Sequence, residues 1–341
     1  PAEPTFENTI LELEYAGSTL NRVAGIFYNL MEANTNDTMQ AIAEQISPML
    51  TEYSMYVSLN DALFQRVKAV YEKKDQLGLD TDQMTLLEDS YKSFVRGGAN
   101  LSDEDKALYS KWSEELSLLT LQFSKNVLAA TNAYTLHVVN EADLAGLPEY
   151  VKTMGAEAAK EKGLDGWAFT LDYPSYGLFL QYSSNRELRK QIWMAYNTRA
   201  IGGEFDNSEI VKKIVGLRIK IANILGYETY ADYALEERMA KNKETVDGFI
   251  MQLLEPSMEF AKKDVADVLA YAKKNGFEDS KLQPWNFTYW SERYKEAEYS
   301  LSAEELKPYF QLESCIDAVF GLATRLYGIT FTELDNVPVY H

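Results

Sequence analysis

The sequence predicts a mainly α protein, a multi-helix array interrupted by one small two-stranded β element between residues 134 and 171. Three observations carry this. Apolar residues recur at three- and four-residue steps along most of the chain, the spacing that lines one face of a helix. Ser, Thr, Asn or Asp precedes several of these runs and Gly follows many of them, as helix starts and stops require. Residues 134–139 (Tyr-Thr-Leu-His-Val-Val) and 167–171 (Trp-Ala-Phe-Thr-Leu) change to strand-like content followed by turn residues.

Taken in order, 5–31 reads as one amphipathic helix through Phe6, Ile10, Leu13, Leu20, Val23, Phe27 and Leu30, with Thr5 as its N-cap. Gly17 and Gly25 within it suggest close helix contacts. A second helix covers about 38–57, with Pro48 expected to kink it. Asn60 opens a third, and Gly78 closes it. Residues 82–96 make a fourth, ended by Gly97-Gly98. Ser102-Asp103-Glu104-Asp105 resembles a capping box and begins a long helix to about 131. The middle region then holds the two strands, with short helices near Asp143 and over 148–161. His137, on the first strand, reads as a hydrogen-bonded structural imidazole. Asn185 caps the next helix, which carries Leu188, Ile192 and Tyr196. Arg186, Arg189 and Arg199 are expected to make exposed ion pairs, with a bidentate grip on a carboxylate as the functional alternative. A helix over 207–225 ended by Gly226, a short helix to about 238 on which Tyr227, Tyr230 and Tyr233 pack, and a long one from 243 to the Asn275-Gly276 stop follow. Those over 285–298 and 315–327 complete the set. Residues 329–333 alternate as a strand should. These patterns divide the chain into a helical array (1–131), a mixed segment (132–183) and a second helical region (184–341).

Composition narrows the function. The chain of 341 residues is 46% hydrophobic and 25% charged, ordinary for a soluble globular protein. A net charge of −19 argues against nucleic acid or an anionic membrane surface as partner, since both call for basic surface. No run of eighteen apolar residues is present, so no membrane span is expected. Because the sequence opens at Pro1 without Met, it leaves both cytoplasmic and exported, periplasmic locations open. Cys315 is the only cysteine; among Ile316, Val319 and Phe320 it reads as a buried inert thiol. No serine or cysteine hydrolase constellation accompanies it.

The most distinctive stretches lie near the C-terminal end: Gln283-Pro284-Trp285-Asn286-Phe287-Thr288-Tyr289-Trp290 and Leu306-Lys307-Pro308-Tyr309-Phe310-Gln311-Leu312-Glu313. Four aromatics among the six residues from Trp285 to Trp290 exceed what one core-facing helix stripe needs. They read either as packing or as the wall of a ligand groove. With Asn185-Arg186-Glu187-Leu188-Arg189, Ala195-Tyr196-Asn197-Thr198-Arg199, Leu225-Gly226-Tyr227-Glu228-Thr229-Tyr230-Ala231 and Met239-Ala240-Lys241, they resemble the thimet oligopeptidase/peptidyl-dipeptidase family of zinc metallopeptidases. The resemblance covers nearly the whole chain and is closest to bacterial peptidyl-dipeptidases. Asn286 departs from it, since an acidic residue is expected after that tryptophan.

The resemblance implies a clam-like helical peptidase that holds short peptides in a deep channel and removes C-terminal dipeptides. Zinc and a glutamate would activate the attacking water. The family's zinc site rests on an H-E-x-x-H helix. This chain has two histidines, His137 and His341, and neither is followed by Glu. The resemblance therefore implies an N-terminal, non-catalytic portion, truncated before the zinc-binding domain. It has no catalytic residue and no metal ligand of its own, and the missing C-terminal catalytic half is its partner. Trp285, Tyr289, Tyr309 and Phe310 are the candidate substrate-channel residues. An apolar face near 285–341 is expected where the other half docks. The alternative is a free-standing helical binding or scaffold module without catalysis.

Overall fold

In a computed structural model, which describes residues 2–300 and 303–337, the chain is mainly helical with one two-stranded antiparallel sheet. It divides into two compact units. The first comprises Pro1–Ala129 with Ala200–Ile250, and the second Ala130–Arg199 with Met251–Tyr340.

The first unit begins with a π-helical turn, Phe6–Leu11, capped as expected: the Thr5 hydroxyl accepts from the Asn8 amide, and Asn8 Oδ1 accepts from the Thr5 amide. The single helix expected over 5–31 is in fact broken. After α1 (Glu12–Tyr15), Ala16 turns extended and Gly17 takes φ +77°, so α2 (Ser18–Ala33) starts afresh. Then come α3 (Asp37–Ser58, with Pro48 inside it), α4 (Asp61–Tyr71), α5 (Thr81–Arg96) and α6 (Asp103–Ala133). Asn60 caps α4 by accepting from Leu63 N, and the helix stops at Tyr71, well before the Gly78 stop expected. Phe6, Ile10, Phe64, Val67, Val70, Leu87 and Phe94 form the core where the first turn meets α4 and α5. The rings of Tyr71 and Tyr91 stack over it at 3.9 Å. Returning chain adds α10 (Ser208–Ile224), α11 (Tyr230–Glu236) and the start of α12 (Lys243–Lys274). Arg96, at the end of α5, clamps α11: it bonds Glu236, the Tyr227 hydroxyl and the Tyr233 carbonyl.

In the second unit, β1 (Leu136–Val138) pairs with β2 (Trp167–Phe169) in the register Leu136↔Phe169, His137↔Ala168, Val138↔Trp167. Alternation puts Leu136 and Val138 into the core and His137 outside. There His137 Nε2 lies 2.6 Å from the Asp165 carbonyl. Against the sheet pack α7 (Glu149–Glu161) and α8 (Tyr173–Tyr182), and α9 (Arg186–Asn197) packs on α8. Gly155 of α7 lets the Phe169 ring approach: a Cβ there would sit 3.0 Å from Cζ. The core comprises Leu136, Val138, Leu144, Val151, Phe169, Phe179 and Ile192 among others.

α13 (Pro284–Tyr299) lies across α8 and α9. Pro284 occupies its first turn, where a missing N–H costs nothing. Trp290 and Tyr294 of α13 meet Tyr271 near the end of α12, and Phe277 beyond it meets Trp290. The chain continues through α14 (Ala303–Leu306), a 3-10 turn (Lys307–Tyr309) and α15 (Leu312–Tyr327). Two expectations fail here. Residues 329–333 form no strand; Phe331 instead stacks on Phe320 of α15 at 4.3 Å, and among the described residues no strand pairs with this segment. Cys315 is half-buried rather than enclosed, because α15 has no buried residue. His341 and the rest of the run at 338–341 lie outside the described residues.

Candidate functional site

The polar centre of the second unit is Arg189. Asn185 starts α9 by accepting from the Glu187 and Leu188 amides, which places Arg189 one turn in. There it shares a helix face with Ile192, three residues on, and is carried into the core; only 2% of its surface is exposed. Among the described residues it makes no ion pair of the kind expected, and neutral oxygens surround the guanidinium. Nε donates to the Trp285 carbonyl at 3.0 Å, Nη1 to the Ser183 carbonyl at 2.6 Å, and Nη2 reaches Asn286 Oδ1 at 3.5 Å. Its carbon sits 4.2 Å from the Tyr289 ring centroid, and Arg293 approaches the same ring at 5.1 Å. Burial without a carboxylate pulls the Arg189 guanidinium down to about 10.

Asn286 is fully buried. Its Nδ2, with Trp285 Nε1 and Glu292 Oε1 on the same helix, is buried without a hydrogen-bond partner. The other two arginines behave differently. Arg186 makes the expected pair, with Asp279, while Arg199 lies over the Tyr196 ring and donates to the Tyr196 carbonyl.

The four nominated aromatics fall into two pairs. Trp285 and Tyr289 are half-buried: Trp285 packs on Trp193 at 5.5 Å, and Tyr289 covers Arg189. Tyr309 and Phe310 stand in solvent, 80% and 68% exposed, at the end of the 3-10 turn. The base of that turn is held by Lys307, whose Nζ lies 3.3 Å from the Tyr150 ring centroid. A cavity of about 350 Å³ in this unit opens elsewhere, between Met154, Gly155 and Ala158 of α7, Phe169, and Pro174 of α8. The buried role of Arg189 is the feature sequence reasoning missed. Its signal was the three-residue step to Ile192, outweighed by the usual preference of arginine for the surface.

Among the described residues, no three His, Cys, Asp or Glu side chains gather so as to hold a metal ion. No helix there is long and apolar enough to cross a membrane.

The sequence that builds this site is similar to known peptidases. Residues 179–341 match the model of peptidase family M3. Over its whole length it is 35% identical to dipeptidyl carboxypeptidase of Escherichia coli (strain K12), covering 100% of this chain and 50% of that protein. It is 33% identical to oligopeptidase A of the same organism, over 99% of this chain and 50% of that protein. Saccharolysin of Saccharomyces cerevisiae is 23% identical over 92% of this chain and 44% of its own length. The chain thus spans about half the length of the curated relatives it matches.

Proposed function

We propose that this chain is the non-catalytic portion of a zinc peptidase that acts on short peptides, releasing C-terminal dipeptides, and that it forms one wall of the substrate channel. The observation that carries the reading is the match along the entire chain to half the length of dipeptidyl carboxypeptidase and oligopeptidase A. The described residues do not fit a zinc centre: His137 is engaged at Asp165, and no donor cluster accompanies it. The catalytic half of the parent would supply the metal and the water-activating glutamate. The contribution of this half is shape. Helical walls admit unfolded peptides and exclude folded proteins, so selection by size needs few specific contacts.

Tyr309 and Phe310 are the side chains free to meet a peptide. Trp285 and Tyr289 would serve from behind, fixing the helix that carries the wall. The test is cleavage of quenched fluorescent short peptides, with zinc supplied, by the chain alone and by the intact parent. Cleavage by the parent only is expected; zinc-dependent cleavage by this chain alone would overturn the reading.

A further inference from the structure

Two helices of the first unit, α6 and α10, enclose a basic cavity that the peptidase reading does not use. Asn207, just ahead of α10, ties them together. Its Nδ2 donates to the Phe123 carbonyl at 3.0 Å, and its Oδ1 accepts from Asn126 Nδ2 at 2.9 Å. Towards the other end Lys220 Nζ of α10 lies 5.7 Å from the ring centroid of Trp112 of α6, so the two helices run antiparallel. Between them opens a cavity of about 330 Å³, at the lower end of the range for small-molecule sites.

The floor of this cavity is apolar. Leu217 is buried there, and Gly216 beside it leaves room, since a Cβ would meet nothing within 4 Å. Half-buried Trp112 forms one wall. The rim is cationic. Lys213 and Lys220 stand two turns apart on the face of α10 that carries Gly216 and Leu217, and Lys111 joins them from α6. Among the described residues none of these three lysines is in an ion pair, whereas the adjacent Lys212 pairs with Glu209 at 2.7 Å. Glu115 is the one acid among the described residues of the lining. Three ammonium groups gathered round one opening repel one another until an anion joins them.

We propose that this cavity binds a nucleotide, with the base stacked on Trp112 over the Leu217 floor and the phosphates among Lys111, Lys213 and Lys220. Lysine meets phosphate as a point charge, and an indole face accepts any base by stacking. An inorganic anion would satisfy the lysines and leave the Trp112 face bare. A nucleic-acid polymer would extend past this local patch onto a chain of net charge −19, which repels it. A small anion with a planar ring uses both halves of the site. The proposal stands apart from the peptidase reading, because it needs only α6 and α10.

The experiment titrates the intact parent with ADP, adenosine, inorganic phosphate and tetraglutamate by isothermal calorimetry. ADP is expected to saturate at one per chain, with adenosine and phosphate each at least tenfold weaker. K213Q/K220Q, which strips the rim, and G216L, which fills the floor, should each weaken ADP at least tenfold. W112L should weaken ADP and leave phosphate binding as it was. K212Q, on a lysine already paired, should leave ADP affinity unchanged. Circular dichroism and thermal melting of each variant confirm that the fold is kept, and if G216L unfolds, the lysine pair carries the test alone.

No saturation at millimolar ADP would overturn the site, as would equal ADP affinity in K212Q and K213Q/K220Q. Phosphate or tetraglutamate binding as tightly as ADP would overturn the nucleotide assignment. None of these results touches the peptidase reading, which the cleavage assay tests separately.

Discussion

Replacing Asn286 with Asp should stabilise the second unit, because it gives Arg189 the counter-charge it lacks. Burial pulls the guanidinium down to about 10, which corresponds to a penalty on the order of 3 kcal/mol for keeping it charged in the fold. The folded state holds that proton less tightly than the unfolded chain. The penalty is therefore present in full at neutral pH and is relieved only as pH rises above about 10. Asn286 Oδ1 already faces Nη2 at 3.5 Å, so a carboxylate at this position needs little movement. The change also removes Asn286 Nδ2, a buried donor without a partner, whose burial alone costs about 1–3 kcal/mol. Desolvating the new carboxylate offsets part of both gains. A net stabilisation of about 1–2 kcal/mol remains, or roughly 2–8 °C in Tm for a body of this size. Urea titration of N286D, with R189M and the double variant closing the cycle, measures it. N286D should stabilise the parent chain and destabilise R189M. Destabilisation by the same amount in both backgrounds would refute the argument, because position 286 would then not sense the charge on Arg189.

Two glycines should respond oppositely to alanine. Gly216 in α10 has nothing within 4 Å of a new Cβ, so G216A should gain about 0.5–1 kcal/mol in denaturant titration. Gly155 faces the Phe169 ring, and G155A should show no such gain, with G155V losing about 1–3 kcal/mol. The Glu236 carboxyl lies below its ordinary value, chiefly through the Tyr227 hydroxyl and then through Arg96. Its contribution is complete above pH 4.5 and is lost as pH falls through the lower folded value, so E236Q should flatten the acid limb of stability against pH. In the intact parent, Y309A and F310A should raise KM for short peptides with kcat nearly unchanged, the pattern of lost uniform binding, as steady-state kinetics would show.

The helices were legible because their signals are local. Thr5, Asn60, Ser102 and Asn185 each cap where expected, and the strands at 136–138 and 167–169 announced themselves by content and flanking turns. What failed depended on context. The alternation at 329–333 satisfied the strand pattern, but a strand also needs a partner, and Phe331 found an aromatic ring instead. Gly17 looked like a contact glycine and proved to be the break between two helices, where it takes a left-handed φ. The candidate site was half legible. The aromatic density of 285–290 and 309–310 is visible in the sequence, but not its division into residues that brace the helix and residues that face solvent. Arg189 was placed at the surface because an arginine without a carboxylate is rarely buried; here the carbonyls of Ser183 and Trp285, with Asn286 Oδ1 and the Tyr289 ring, take its place.

The central claim, that this chain is the non-catalytic half of a peptidase, meets its most direct test in the coding sequence beyond the codon for His341. The account predicts continuous reading frame containing an H-E-x-x-H helix and a further glutamate ligand. A stop codon directly after His341 would contradict it and favour a helical binding module that shares the wall of the family without its chemistry.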